Sequence, residues 1–98
     1  MYQIEWTPLA ESSYQAILDF VLEQWSIEII IRLDDDIKAI LNQLERQFFI
    51  GSPIHGNKHL RKCVISKQTS LIYRIIPKTK TVELITFVDN RSNHPFFN

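Results

Sequence analysis

The last third of this chain constrains its fold most. Residues 60–66, 70–76 and 81–88 form three runs of β-branched and aromatic side chains with a period near two, separated by short polar turns. The spacing predicts an antiparallel meander. Arg61, Lys62, Lys67, Arg74, Lys78, Lys80 and Arg91 lie on or between these runs. One sheet therefore carries most of the cations, which the net charge of zero conceals. Residues 1–50 hold nine acids and three bases, whereas residues 51–98 hold eight bases and two acids. That polarity fits two solvated faces of opposite sign. It equally fits a sheet that meets a negative partner.

The first half reads as helical after a short strand. Tyr2, Ile4 and Trp6 alternate with polar neighbours over residues 2–6. Thr7-Pro8 then looks like a helix start, because a threonine hydroxyl caps well and proline suits the first helical position. Tyr14, Ile17 or Leu18, Val21 and Trp25 predict one apolar stripe on a helix running to about Trp25. Ser26 is the next cap candidate, with Glu28 just inside. Ile30, Leu33, Ile37, Ile40, Leu44 and Phe48 predict a second helix over residues 27–48. Only Ser26 separates the two, so they should fold back as a hairpin. Gly51 to Asn57 reads as a loop holding both glycines of the chain. The order β-α-α-β-β-β describes an α+β domain, a helical hairpin packed on one sheet.

Ninety-eight residues make a single domain, 1–98, and 45% apolar content supports a core. No apolar run is long enough to span a bilayer, and the N-terminal residues do not read as a signal peptide. The lone Cys63 fits a reducing cytosol, so a cytoplasmic protein is expected.

Chemistry-bearing clusters are sparse. His55, His59 and His94 have no ligand spacing, and no glycine-rich phosphate loop is present. No metal, cofactor or small-molecule substrate is expected. Cys63 reads as a small apolar strand residue. Asp34, Asp35 and Asp36 would point about 100° apart on a helix and so cannot converge on one cation. Asp34 and Lys38 are spaced for an i,i+4 pair. Arg74 should sit opposite Glu83 of the next strand, and pairing there is more plausible than a free binding role. The remaining sheet cations can neutralise phosphate or grip carboxylates.

Four stretches, in this order, resemble the RelE/ParE toxin superfamily. They are Ile4-Glu5-Trp6-Thr7-Pro8 with Ala10; Ile17-Leu18-Asp19-Phe20-Val21 with Glu23-Gln24-Trp25-Ser26; Leu60-Arg61-Lys62 with Val64-Ile65 and then Leu71-Ile72-Tyr73-Arg74-Ile75; and Val88-Asp89-Asn90-Arg91. The resemblance implies the toxin of a type II toxin–antitoxin, or plasmid stabilisation, module. Such a toxin inhibits bacterial growth and is neutralised by a cognate antitoxin. The superfamily divides into gyrase poisons and ribosome-dependent mRNA endoribonucleases, and the fold alone does not choose between them.

The nuclease branch commonly carries an arginine before the aliphatic pair and tyrosine of the middle strand. Ser70 stands there in this chain, and a hydroxyl cannot stabilise a developing phosphate charge as a guanidinium does. That branch also uses a tyrosine or histidine near the C-terminus, where this chain has His94, Phe96 and Phe97. The resemblance therefore leans to a ParE-like toxin that binds its target without nuclease chemistry. Lys62, Lys67, Arg74 and Arg91 are the target-binding candidates. Arg61, Arg91 and His94 are the catalytic candidates if the chain is a nuclease. Ile27, Ile31 and Phe49 lie off the helical stripes and are candidates for antitoxin contact. A wider buried face would also account for them. A degenerate, non-toxic member is a further alternative.

Overall fold

A computed structural model of the chain describes residues 1–90. Its elements are β1 (Gln3–Trp6), α1 (Pro8–Gln24), α2 (Ile27–Leu44), β2 (Ser52–Ile54), β3 (Asn57–Val64), β4 (Thr69–Ile76), a 3₁₀ turn (Pro77–Thr79) and β5 (Thr81–Asp89). One five-stranded sheet has the order β1-β5-β4-β3-β2. β1 runs parallel to β5, and every other pairing is antiparallel. Both helices pack on one face. The expected α+β architecture is therefore present, with one short strand more than the sequence pattern suggested.

That extra strand, β2, lies inside the segment expected to be a loop. It pairs with β3 through Ser52↔Lys62 and Pro53↔Arg61. Three residues with a central proline have no readable periodicity, and Pro53 is tolerated because β2 is an edge strand. His55 and Gly56 both take positive φ, 52° and 75°, and close the tight β2–β3 hairpin. β3 consequently begins at Asn57, earlier than the apolar run implied, and ends at Val64. The first helix stops at Gln24, and Trp25 is half exposed rather than part of the stripe.

The second helix also ends sooner than its stripe, at Leu44 rather than Phe48. The Glu45 carbonyl accepts from the Tyr2 N–H at 2.8 Å, so the first residues of the chain take an acceptor the helix would have used. Phe48 still joins the core, stacked on Tyr2 with ring centroids 4.0 Å apart. Ile30, Leu33, Ile37, Ile40 and Leu44 pack with Tyr14, Ile17, Leu18 and Val21 against the sheet, as the stripes required. Thr7 caps α1 as expected. Its Oγ accepts from the Ala10 N–H at 3.0 Å and donates to the Leu84 carbonyl at 2.7 Å. Ser26 occupies the N-cap of α2 without a side-chain cap bond.

A bulge in β5 keeps its inward face apolar. Ile72 pairs with Thr86 and Tyr73 with Leu84, which leaves Ile85 as the extra residue. Without it, strict alternation from Val82 and Leu84 would turn Phe87 outward. With it, Val82, Leu84 and Phe87 all enter the helix-side core. Ile85 and Val88 join Ile54, Leu60 and Ile72 in a smaller cluster on the opposite face.

Tyr14 ties the helices together. Its hydroxyl donates to Asp34, whose carboxylate also pairs with Lys38 at 2.8 Å. The hydrogen bond from Lys38, and then that from Tyr14, holds the Asp34 carboxyl below the usual aspartate range. A carboxyl lowered in the folded state adds stability above its unfolded pKa and loses it as pH falls through the folded value. Tyr14→Phe is therefore expected to flatten the acid-side decline in stability below about pH 4. Urea midpoints measured against pH will check this, and an unchanged acid limb would rule it out.

Candidate functional site

The outward face of the sheet, away from the helices, carries a cationic edge. Along β3, Cys63 points to the helix-side core and Leu60 to the outer cluster. Alternation then places Lys58 and Lys62 on the outer face with Leu60, and Arg61 on the helix side with Cys63. Arg74 of β4 shares the outer face with Ile72 and stands opposite Leu60. Lys62 is opposite Ile72, so Lys62 and Arg74 are diagonal neighbours. Lys67 sits in the turn between β3 and β4. Lys78 and Lys80 lie at the other end of β4, roughly 25 Å away at the usual rise of a strand.

Acids occupy the opposite side of the same face. Glu83 stands across from Arg74, and Glu5 stands across from Glu83. Arg74 and Glu83 approach to 3.9 Å as half-exposed side chains. A loose, solvated pair of this kind contributes below about 1 kcal/mol and leaves the guanidinium able to exchange partners. The pairing anticipated for Arg74 is thus present, in weak form.

Arg61, a catalytic candidate if the chain is a nuclease, lies on the helix side of β3. Its guanidinium turns back onto the main chain. Nε donates to the Gly51 carbonyl at 2.9 Å, Nη1 to Lys58 at 2.9 Å, and Nη2 to Gly51 at 2.5 Å and Phe49 at 3.2 Å. The same group lies 5.1 Å from the centre of the Phe49 ring. Tyr73 completes this clasp from β4. Its hydroxyl donates to the Phe48 carbonyl at 2.8 Å and accepts from the Gly51 N–H at 3.1 Å. Burial pushes the Tyr73 hydroxyl above the ordinary tyrosine range, so it remains protonated at neutral pH. Burial likewise raises the Cys63 thiol, which suits a packing role and not a nucleophile.

Ser70 is fully buried, and its hydroxyl donates to Asn90 Oδ1 at 2.5 Å. Asn90 was not legible as a functional residue, because its partners lie 20 to 24 positions away in sequence. Arg91 and His94, two of the candidate catalytic residues, lie outside the described residues, so the structure says nothing of their placement. Among the described residues, no three His, Cys, Asp or Glu side chains are grouped to hold a metal ion, and no helix is long and apolar enough to cross a membrane.

The exposed apolar residues fall in two places. Ile27 is 56% exposed and Ile31 55%, one turn apart near the start of α2. Leu22 and Trp25, near the end of α1, are also exposed, while Ile29 lies on the other side of α2, beside Arg32 and Asp36. Phe49 is 48% exposed but lies beyond the other end of α2, beside Arg61. An 18-residue helix is about 27 Å long, so Phe49 does not share a patch with Ile27 and Ile31. A cavity of about 140 Å³ opens between α1 and the end of the sheet, lined by Ala16, Ile17, Phe20, Val21, Gln68, Thr69 and Asp89.

Comparison with known proteins adds a family. A family model described as the ParE toxin of the type II toxin–antitoxin system parDE matches residues 4–95. No curated protein matches. The YoeB/ParE toxin from Agrobacterium tumefaciens superposes with a TM-score of 0.63 at 18% identity, covering 90% of this chain and 98% of that chain. The isolated RelE toxin of E. coli gives 0.62 at 14%, covering 99% and 93%. The RelBE2 toxin–antitoxin complex from Mycobacterium tuberculosis gives 0.57 at 16%, covering 91% and 98%. Identities this low establish a shared fold.

Proposed function

We propose a function that starts from one established premise: this chain belongs to the ParE toxin family of type II toxin–antitoxin systems. It is a toxin of the RelE/ParE superfamily. Beyond that, we propose that it arrests growth by occluding a macromolecular target of the gyrase type, without cutting RNA. The inward-turned guanidinium of Arg61 carries this reading. A nuclease needs cations free to meet a phosphate in the transition state, and here four donor contacts of Arg61 are spent on main-chain carbonyls. The buried Ser70 supports the same conclusion, since it occupies the place where the nuclease branch carries an arginine.

Lys62, Lys67, Arg74 and Arg91 are the side chains we assign to target contact. Lys62 and Arg74 share the outward face, Lys67 is exposed in the adjoining turn, and Arg91 is the second residue after β5 in sequence. Positive charge of this kind speeds encounter and fixes orientation on an acidic surface.

A cognate antitoxin is the second proposed partner, in line with the toxin–antitoxin complex among the matched structures. Ile27 and Ile31 offer it an apolar anchor. Glu28, Asp34 and Asp35 fall on the same side of α2 as that anchor by helical spacing, whereas Asp36 does not. The antitoxin segment laid on this helix should therefore be apolar with lysine or arginine flanks. To reach Phe49 as well, it must extend along the full length of α2.

Cell-free translation with primer-extension readout, run beside a gyrase supercoiling assay, tests the target. Intact message with inhibited supercoiling is expected. Site-specific message cleavage that disappears on Arg91→Ala would establish the nuclease reading instead. Absence of growth arrest when the chain is induced without its antitoxin would mark a degenerate member.

A further inference from the structure

We propose that Asn90 is a positioning residue of this toxin: its carboxamide fixes the β3–β4 turn, and so presents Lys67 to the target. The inference rests on the reading that target contact runs through the outward cations.

Every polar atom of the Asn90 side chain is engaged with this one region. Oδ1 accepts from the Ser70 hydroxyl at 2.5 Å. Nδ2 donates to the Ser66 carbonyl at 3.4 Å and to the Lys67 carbonyl at 3.3 Å. The Asn90 main-chain N–H donates to the Gln68 carbonyl at 2.7 Å. The turn is thus held from outside at three consecutive carbonyls, while Ser66 and Thr69 close it from within. Ser70 sets the amide orientation. A hydroxyl donating to Oδ1 turns the NH₂ group towards the turn, where only a donor satisfies the two carbonyls.

The Asn90 side chain bonds to the β3–β4 turn and to Ser70 at the start of β4, so the network bears on that turn. Its main-chain bond to Gln68 survives any side-chain change other than proline. Asn90→Ala is therefore expected to fold, with a turn that wanders. Asn90→Asp is the sharper variant. It keeps an acceptor for Ser70 but sets a carboxylate oxygen against the Ser66 and Lys67 carbonyls.

A double-mutant cycle on toxicity separates positioning from general destabilisation. The readout is the toxin level giving half-maximal growth arrest in cells lacking the antitoxin, with thermal midpoints measured on the purified variants. Lys67→Ala and Asn90→Ala are each expected to raise the required level about tenfold, and the double variant also only about tenfold, because Asn90 acts through Lys67. Independent effects, with the double variant needing about a hundredfold more, would overturn the proposal. So would an Asn90→Ala protein as toxic as the parent, and in that case the reading of the cationic face stands if Lys67→Ala is weakened. A Lys67→Ala protein as toxic as the parent would overturn both the proposal and the assignment of Lys67 to target contact. Should Asn90→Ala fail to fold, Asn90→Asp and Ser70→Ala run through the same cycle, and additive behaviour there is equally decisive against it.

Discussion

Gly51→Ala is expected to lower the stability of this protein by about 3 kcal/mol, near the top of the range for overpacked sites. A methyl group built on Gly51 lies 2.5 Å from the Lys62 carbonyl oxygen, 2.9 Å from its carbon and 3.0 Å from the Tyr73 hydroxyl. Two of those atoms are main chain in a paired strand, and the third is fixed by its own hydrogen bonds. None can swing aside as the tip of a long side chain would. Gly51 is also held at both polar groups, its N–H by Tyr73 and its carbonyl by Arg61, so the loop cannot shift without breaking them. For a domain of this size the thermal midpoint should fall by roughly 15 °C. A drop of less than about 3 °C would mean that the loop re-seats freely and that the close approach is incidental.

The same loop shows where sequence reading reaches and where it stops. The helical stripes were legible because the 3.6-residue period repeats over many residues, and Ile30 through Leu44 pack as that period requires. Thr7, Asp34–Lys38 and Arg74–Glu83 were legible because each rests on short-range spacing or on adjacent strands. The end of α2 was not. Phe48 continues the stripe numerically, yet Tyr2 claims the Glu45 carbonyl from the far end of the chain. The short strand β2 was hidden for a similar reason, since its pairing is decided by β3 and not by its own three residues. At the candidate site, alternation correctly separated Arg61 from Lys62. Parity puts Arg61 on the side of buried Cys63. What parity could not supply was the acceptor set, because Phe49 and Gly51 come from a loop whose path no local pattern fixes.

Arg61→Ala tests that assignment directly, and it is expected to cost about 2 kcal/mol, or roughly 10 °C in thermal midpoint. Removing the guanidinium leaves the part-buried Gly51 carbonyl without either of its two Arg61 donors, and the Phe49 and Lys58 carbonyls without theirs. Arg61→Lys should recover little. An ammonium is a single point with tetrahedral donors, and it cannot reach three carbonyls that a planar fork spans at once. Toxicity should fall in both variants only to the extent that folded protein is lost, and should return at lower temperature as the loop is restored. A catalytic Arg61 would behave in the opposite way. Alanine would abolish toxicity at every temperature while leaving the midpoint within about 2 °C of the parent, and message cleavage by the parent would accompany it. The two variants, read by thermal unfolding and growth arrest together, therefore decide whether this arginine holds the toxin together or does its chemistry.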